Sequence, residues 1–162
     1  MKHSEPVQLK TSKVFDVRFS EVDAMNIVWH GSYALYFEDA REQFGKEFGL
    51  SYMSYFDNGY YAPLVELNFS FKKPLLYGQQ ARIDIIFRNV PAAKVIFDYE
   101  IRLITDMTYS PLEGMQEEVR TNTNDNLVAT GSSTQVFLDN KYNLVWINPP
   151  FYETWKRKHN LL

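Results

Sequence analysis

The stretch Phe19-Ser20-Glu21-Val22-Asp23-Ala24-Met25-Asn26-Ile27-Val28-Trp29-His30-Gly31-Ser32-Tyr33 decides how this chain is read. It places an aspartate and a histidine seven positions later directly before a long amphipathic run. In that run Tyr33, Phe37, Ala40, Phe44 and Phe48 recur at helical spacing, while Glu38, Asp39, Arg41, Glu42, Lys46 and Glu47 fill the other face. The spacing predicts a helix that opens near Gly31 or Ser32, where serine suits the N-cap, and stops at Gly49. A helix start carries unpaired N–H groups and a partial positive charge, so it suits a carbonyl oxygen that becomes negative. The amides near His30 and Gly31 are candidate oxyanion donors, and Asp23, on the loop before them, is the candidate to attack or to activate water.

The chain has 162 residues, enough for one domain with a substantial core, and residues 1–162 are read as one unit. Hydrophobic residues at 45% and charged residues at 23% are ordinary globular values; aromatic residues at 16% are rich and favour broad packed faces. A formal charge of -3 supplies no general drive toward nucleic acid or an anionic membrane. Without cysteine there is no disulfide framework, no thiol nucleophile and no thiolate-bound metal, which makes a cytoplasmic location the default. The opening residues lack the apolar core of a signal peptide, and no apolar run is long enough for a membrane helix, so no membrane insertion is expected. His3, His30 and His159 are scattered, no Ser-His-Asp order or phosphate-binding glycine loop occurs, and no metal is expected.

Taken in order, residues 1–13 read as a polar tail, and Val14 to Phe19 alternate as a first strand. After the helix, the segment from Tyr52 ends in a turn at Asn58-Gly59. Val65, Leu67, Phe69 and Phe71 then alternate with polar residues as a strand with one buried face. Ala81–Val90 and the run from Val95 to Leu103 follow after short connections, which predicts an antiparallel meander. Residues 106–125 form a polar excursion read as a long loop. Leu127–Leu138 returns to strand character, with Gly131-Ser132-Ser133 marking a bulge or a close backbone approach. Trp146, Pro149-Pro150 and Phe151 precede a short basic tail, Lys156-Arg157-Lys158-His159. Strand, helix, then four strands points to an α+β domain whose antiparallel sheet wraps one long central helix, with dimerisation covering its open edges.

Three segments carry a family resemblance: Arg18-Phe19-Ser20-Glu21-Val22-Asp23, Ile27-Val28-Trp29-His30-Gly31-Ser32-Tyr33, and Tyr36-Phe37-Glu38-Asp39-Ala40-Arg41. They resemble the hotdog-fold acyl-CoA thioesterases of the 4-hydroxybenzoyl-CoA thioesterase type, including the small bacterial enzymes associated with the Tol-Pal system. The resemblance runs more loosely to about Asp139 and implies a hotdog fold. It further implies hydrolysis of R–CO–S–CoA by Asp23, as nucleophile or as general base on water. The N–H of His30 polarises the carbonyl in this picture, and the imidazole assists water or the departing thiolate. The resemblance also implies a homodimer or homotetramer with sites at the subunit interface, with no cofactor beyond the coenzyme A of the substrate.

Two departures from the family pattern stand out. Relatives often carry glycine where this chain has Met25 and Asn26, and some carry tyrosine at Phe19. For substrate, an acyl-CoA or an acyl-carrier-protein thioester, Met25 and Trp29 are candidate acyl-pocket residues. Lys72, Lys73, Arg88 and Lys94, at strand ends, are candidates for the phosphates of coenzyme A. Two other classes compete: a hydratase or dehydratase on acyl thioesters, which needs an acid–base pair at the β-carbon, and a non-catalytic acyl-CoA-binding module.

Overall fold

A computed structural model describes residues 7–105, 107–108, 117–118 and 126–162. Five strands, β1 (Lys10–Asp16), β2 (Leu64–Phe71), β3 (Gln80–Arg88), β4 (Lys94–Thr105) and β7 (Leu127–Val136), form one antiparallel sheet in the order β1-β3-β4-β7-β2. Two-residue strands β5 (Met107–Thr108) and β6 (Glu117–Glu118) pair with each other. The remainder of the long loop read at 106–125, and residues 1–6 of the polar tail, lie outside the described residues. Among the described residues, three α-helices, α1 (Ser32–Phe48), α2 (Tyr52–Asp57) and α3 (Pro150–Lys158), and a 3-10 turn at Phe19–Glu21 complete the fold. This is the α+β hotdog arrangement, one sheet packed against one long helix.

The aromatic stripe explains the packing. Tyr33, Tyr36, Phe37, Ala40 and Phe44 are buried on α1, with the Phe37 ring stacked on Tyr99 of β4 at 3.9 Å and Phe44 edge-on to Phe97 at 4.9 Å. β3 and β4 turn Ile83, Ile85, Val95 and Ile101 into the same core, each fully buried. Burial of such side chains contributes roughly 1.5 to 3 kcal/mol apiece, so this face dominates the stability of the sheet. Gly49 ends α1 in the left-handed region at φ 75°, as the sequence predicts. The N-cap is Gly31 instead of serine; Ser32 lies inside the helix, where its hydroxyl donates to the Glu21 carbonyl at 3.2 Å.

The expected meander is corrected. β3 and β4 do form a hairpin, but β2 lies across the sheet beside β7, because the chain from Lys72 to Gln79 runs back over the strand ends before β3 begins. At that edge the alternation of β2 does not produce a buried face: Val65 and Phe71 are more than half exposed, and only Phe69 tucks in, 4.9 Å from Phe37. The first strand starts at Lys10, inside the segment read as tail, and ends at Asp16, where Val17 turns into the core. The basic tail is also corrected. It is the last turn of α3, whose Trp155 donates to the Phe48 carbonyl and whose Lys156 is fully buried, donating to the Val90 carbonyl at 2.7 Å above the Tyr152 ring.

Gly131 shows the close approach anticipated for it, without a register shift at that position. A β-carbon there would sit 2.3 Å from the Asn68 carbonyl oxygen and 2.6 Å from the Phe37 ring. Gly131→Ala is therefore expected to destabilise the protein by about 1 to 3 kcal/mol, as overpacking does. Urea denaturation checks this, and an unchanged midpoint would contradict the close approach.

Candidate active site

The loop between β1 and α1 is held by one buried carboxylate. Glu21 is 5% exposed; it accepts from the Arg18 amide at 2.9 Å, from the Arg18 guanidinium at 2.9 and 2.8 Å, and from the Tyr36 hydroxyl at 2.7 Å. Burial pushes its carboxyl up, but the Arg18 amide, the Tyr36 hydroxyl and the Arg18 side chain together outweigh it and hold the group below the ordinary range. Its backbone works too: the Glu21 carbonyl takes the Trp29 amide at 2.9 Å and the Ser32 hydroxyl. Both ends of the reactive loop are thereby tied to the first two turns of α1. Glu21 is not among the site residues that the sequence predicts, because its contact with Tyr36 spans fifteen positions.

Within that frame the loop folds tightly. Asp23 Oδ1 accepts from the Met25 amide at 2.8 Å and the Ile27 amide at 3.3 Å, and Asp23 and Ile27 are also joined through their backbones at 2.9 Å. Asn26 takes φ 62°, a left-handed conformation that asparagine tolerates better than most residues and glycine adopts freely. The departure from glycine at this position therefore costs the turn little. One oxygen of Asp23 is fixed by amides, while Oδ2 has no hydrogen-bond partner among the described residues.

The helix entrance faces the same space. Ser32 and Tyr33 amides are used in turns onto Trp29 and His30 carbonyls, but the amides of His30 and Gly31 donate to no protein acceptor among the described residues. Asp23, His30, Tyr33, Ile27 and Val28 line a cleft of about 380 Å³ with Phe71, Lys72, Lys73 and Pro74. Its far wall is the crossover after β2. The amides of Lys72 and Lys73 both donate to the Val128 carbonyl, and Val28 donates to Leu75 at 2.8 Å, so the crossover and the loop are sewn together. Burial pushes the Tyr33 hydroxyl up to about 12, which keeps it protonated at neutral pH.

The other candidates fall elsewhere. Met25 is 71% exposed and Trp29 54% exposed, and neither lines the cleft: the Asn26 turn aims Met25 outward, and the Trp29 indole lies across Gly31, where a β-carbon would meet it at 2.1 Å. Arg88 sits in a separate recess on the sheet, ion-paired with Asp98, and Lys94 starts β4 opposite Val136. Both are set apart from the cleft because β3 and β4 cross the middle of the sheet, whereas the crossover carries Lys72 and Lys73 to the helix entrance. Phe19 is exposed and rests edge-on against Tyr77. No helix among the described residues is long and apolar enough to cross a membrane.

Glu21→Gln is expected to cost about 2 to 3 kcal/mol near neutral pH, from the loss of charge-assisted bonds to a buried group. Because the folded-state value is lowered, this contribution is present above the unfolded glutamate value of about 4.3 and disappears as the pH falls through the folded one. Thermal melts of both proteins across that range check it; a difference that grew on acidification would contradict the arrangement.

Comparison with known proteins identifies the family and the fold. Residues 17–153 match the family model described as the Thioesterase-like superfamily. Over 91 residues the chain is 33% identical to "Putative acyl-CoA thioesterase YneP" of Bacillus subtilis (strain 168), a match that covers 56% of this chain and 66% of that protein, just under two thirds of its length. Among solved structures, DHNA-CoA thioesterase from Staphylococcus aureus superposes with a TM-score of 0.71 at 20% identity, covering 93% of this chain and 91% of that one. A mutant of 4-hydroxybenzoyl-CoA thioesterase complexed with 4-hydroxybenzoyl-CoA superposes with a TM-score of 0.66 at 18% identity, covering 90% and 97%. The fold is shared with both, and the chain belongs to the thioesterase-like superfamily.

Proposed function

We propose that this protein is an acyl-CoA thioesterase, converting R–CO–S–CoA and water to a carboxylic acid and the free thiol of coenzyme A. The observation that carries the reading is that Asp23, pinned through one oxygen, and His30 line one cleft at the helix entrance, where the amides of His30 and Gly31 donate to no acceptor among the described residues. A thioester carbonyl seated on those amides gains the most when its oxygen becomes negative, so the helix entrance lowers the barrier more than it tightens ground-state binding.

Asp23 Oδ2 acts from the loop. As general base it takes a proton from water, whose oxygen attacks the carbonyl; as nucleophile it forms a mixed anhydride that water then opens. In both routes the C–S bond breaks as the tetrahedral centre collapses and the thiolate takes a proton. His30, exposed beside Trp29, is the proposed proton carrier for the thiolate. Lys72 and Lys73 at the cleft wall suit the phosphates of coenzyme A, which favours it over a carrier-protein thioester. Coenzyme A esters place the work in the cytoplasm.

The working unit is a homodimer or a dimer of such dimers. β2 ends the sheet with an edge that pairs with no strand among the described residues, and Val65, Leu67 and Phe71 are exposed on it, an aggregation hazard unless another chain covers it. Replacing Leu67 by Lys on that edge is expected to shift sedimentation toward the monomer; an unchanged size would locate any interface elsewhere.

Asp23→Asn preserves both backbone turn bonds through its side-chain oxygen but removes the base and nucleophile. Its turnover in a thiol-release assay across short, long and aromatic acyl-CoAs is expected to fall about 100-fold to 10,000-fold with folding intact. Full activity would remove Asp23 from the mechanism.

A further inference from the structure

Gly31 has no conformational reason to be a glycine. Its backbone sits at φ -65° and ψ -23°, the ordinary right-handed helical region open to any residue. What forbids a side chain there is the Trp29 indole: a β-carbon at position 31 would lie 2.1, 2.3 and 2.6 Å from three neighbouring carbons of its six-membered ring. The glycine is room made for the tryptophan. In a helix the Cα–Cβ bond tilts toward the N-terminus, so a ring that fills the place of the β-carbon at the N-cap lies beside the helix entrance, where the first amides point.

The ring is anchored from both sides. The Trp29 amide donates to the Glu21 carbonyl at 2.9 Å, and the Trp29 carbonyl accepts from the Ser32 amide at 2.8 Å, so this backbone cannot swing away without releasing the loop. The indole also packs on the next side chain, with the His30 ring 5.0 Å away and tilted by 48°. One side chain thus touches both His30 and Gly31, the residues whose amides donate to no acceptor among the described residues. Half of the indole faces water, and the other half keeps water from those two residues.

We propose that Trp29 is a positioning residue, whose indole screens the His30 and Gly31 amides from water and holds them, with the imidazole, toward an incoming thioester carbonyl. Its effect on turnover rests on the acyl-CoA thioesterase reading; the screening does not. A hydrogen bond to a developing oxyanion strengthens as competing water is removed, and an amide already held in place needs no reorganisation when the charge appears. Trp29 lines no part of the cleft, which separates this role from that of an acyl-pocket residue, whose loss would raise KM.

Amide hydrogen exchange followed by NMR tests the screening directly. In Trp29→Ala the His30 and Gly31 amides are expected to exchange about tenfold faster than in the wild type, and in Trp29→Phe, which keeps a ring on the glycine, within about threefold of it. Urea denaturation tests the contact: Gly31→Ala is expected to lower the midpoint in the wild-type background, and to leave it unchanged or raise it in Trp29→Ala, because alanine is the better helix former once the ring is gone. Thiol release from acyl-CoAs tests the consequence. Trp29→Ala is expected to lower kcat about tenfold to a hundredfold with KM within about twofold of wild type, and Trp29→Phe to recover most of the loss. If the wild type releases no thiol from any acyl-CoA, the thioesterase reading fails, and the exchange rates alone decide the assignment of Trp29. Exchange unchanged in Trp29→Ala, an equal loss from Gly31→Ala in both backgrounds, or a kcat untouched by Trp29→Ala in an active enzyme, whatever happens to KM, would each overturn the proposal.

Discussion

The buried carboxylate of Glu21 is the constraint on which the site depends. A charge taken out of water is tolerated only when donors surround it, and here the donors come from two elements that would otherwise move independently. Arg18 belongs to the exit of β1, Tyr36 to the second turn of α1, and the Glu21 carbonyl reaches Trp29 and Ser32 at the helix entrance. Everything between Val22 and Val28 is therefore a short loop with both ends clamped. Such a loop can hold an aspartate in an Asx turn without losing its second oxygen to the backbone.

The second wall of the cleft is a consequence of topology. β2 pairs with β7 at one edge of the sheet, and the next strand, β3, lies toward the other edge beside β1. The connection must travel back over the strand ends, and the N-terminus of α1 is what it passes. Leu75, fully buried, anchors it there, and Gly78 at φ 83° turns it into β3. Two lysines follow from that route: they would be ordinary strand-end charges in a meander, and the crossover makes them the rim of the candidate cleft.

The candidate cleft is thus confined to one end of α1, while a larger space of about 930 Å³ lies along its other half. The two spaces have different characters. The cleft is lined by His30 and by Asp23, whose Oδ2 has no partner among the described residues; the larger space mixes apolar side chains with paired charges, Arg41 with Glu38 and Lys46 with Glu42. One helix serves both because its sheet-facing stripe of Tyr33, Phe37, Ala40 and Phe44 is filled by the core, leaving its entrance and its Glu38–Arg41 flank for other uses.

The sequence by itself determined the long helix, its aromatic stripe and its stop at Gly49, the strands, the close approach at Gly131, and the pairing of Asp23 with the helix entrance. Those are local signals, periodicity and backbone chemistry that act over a few residues. Strand order, the exposure of β2, the burial of Lys156 in a helix read as a tail, the outward turn of Met25 and Trp29, and the remoteness of Arg88 and Lys94 were decided by tertiary structure. Alternation tells which residues of a strand share a face, but only the neighbouring strand and the packed helix decide whether that face meets the core or an open edge. Glu21 belongs with the latter group: its role rests on a tyrosine fifteen residues away, and no local pattern carries a contact across that distance.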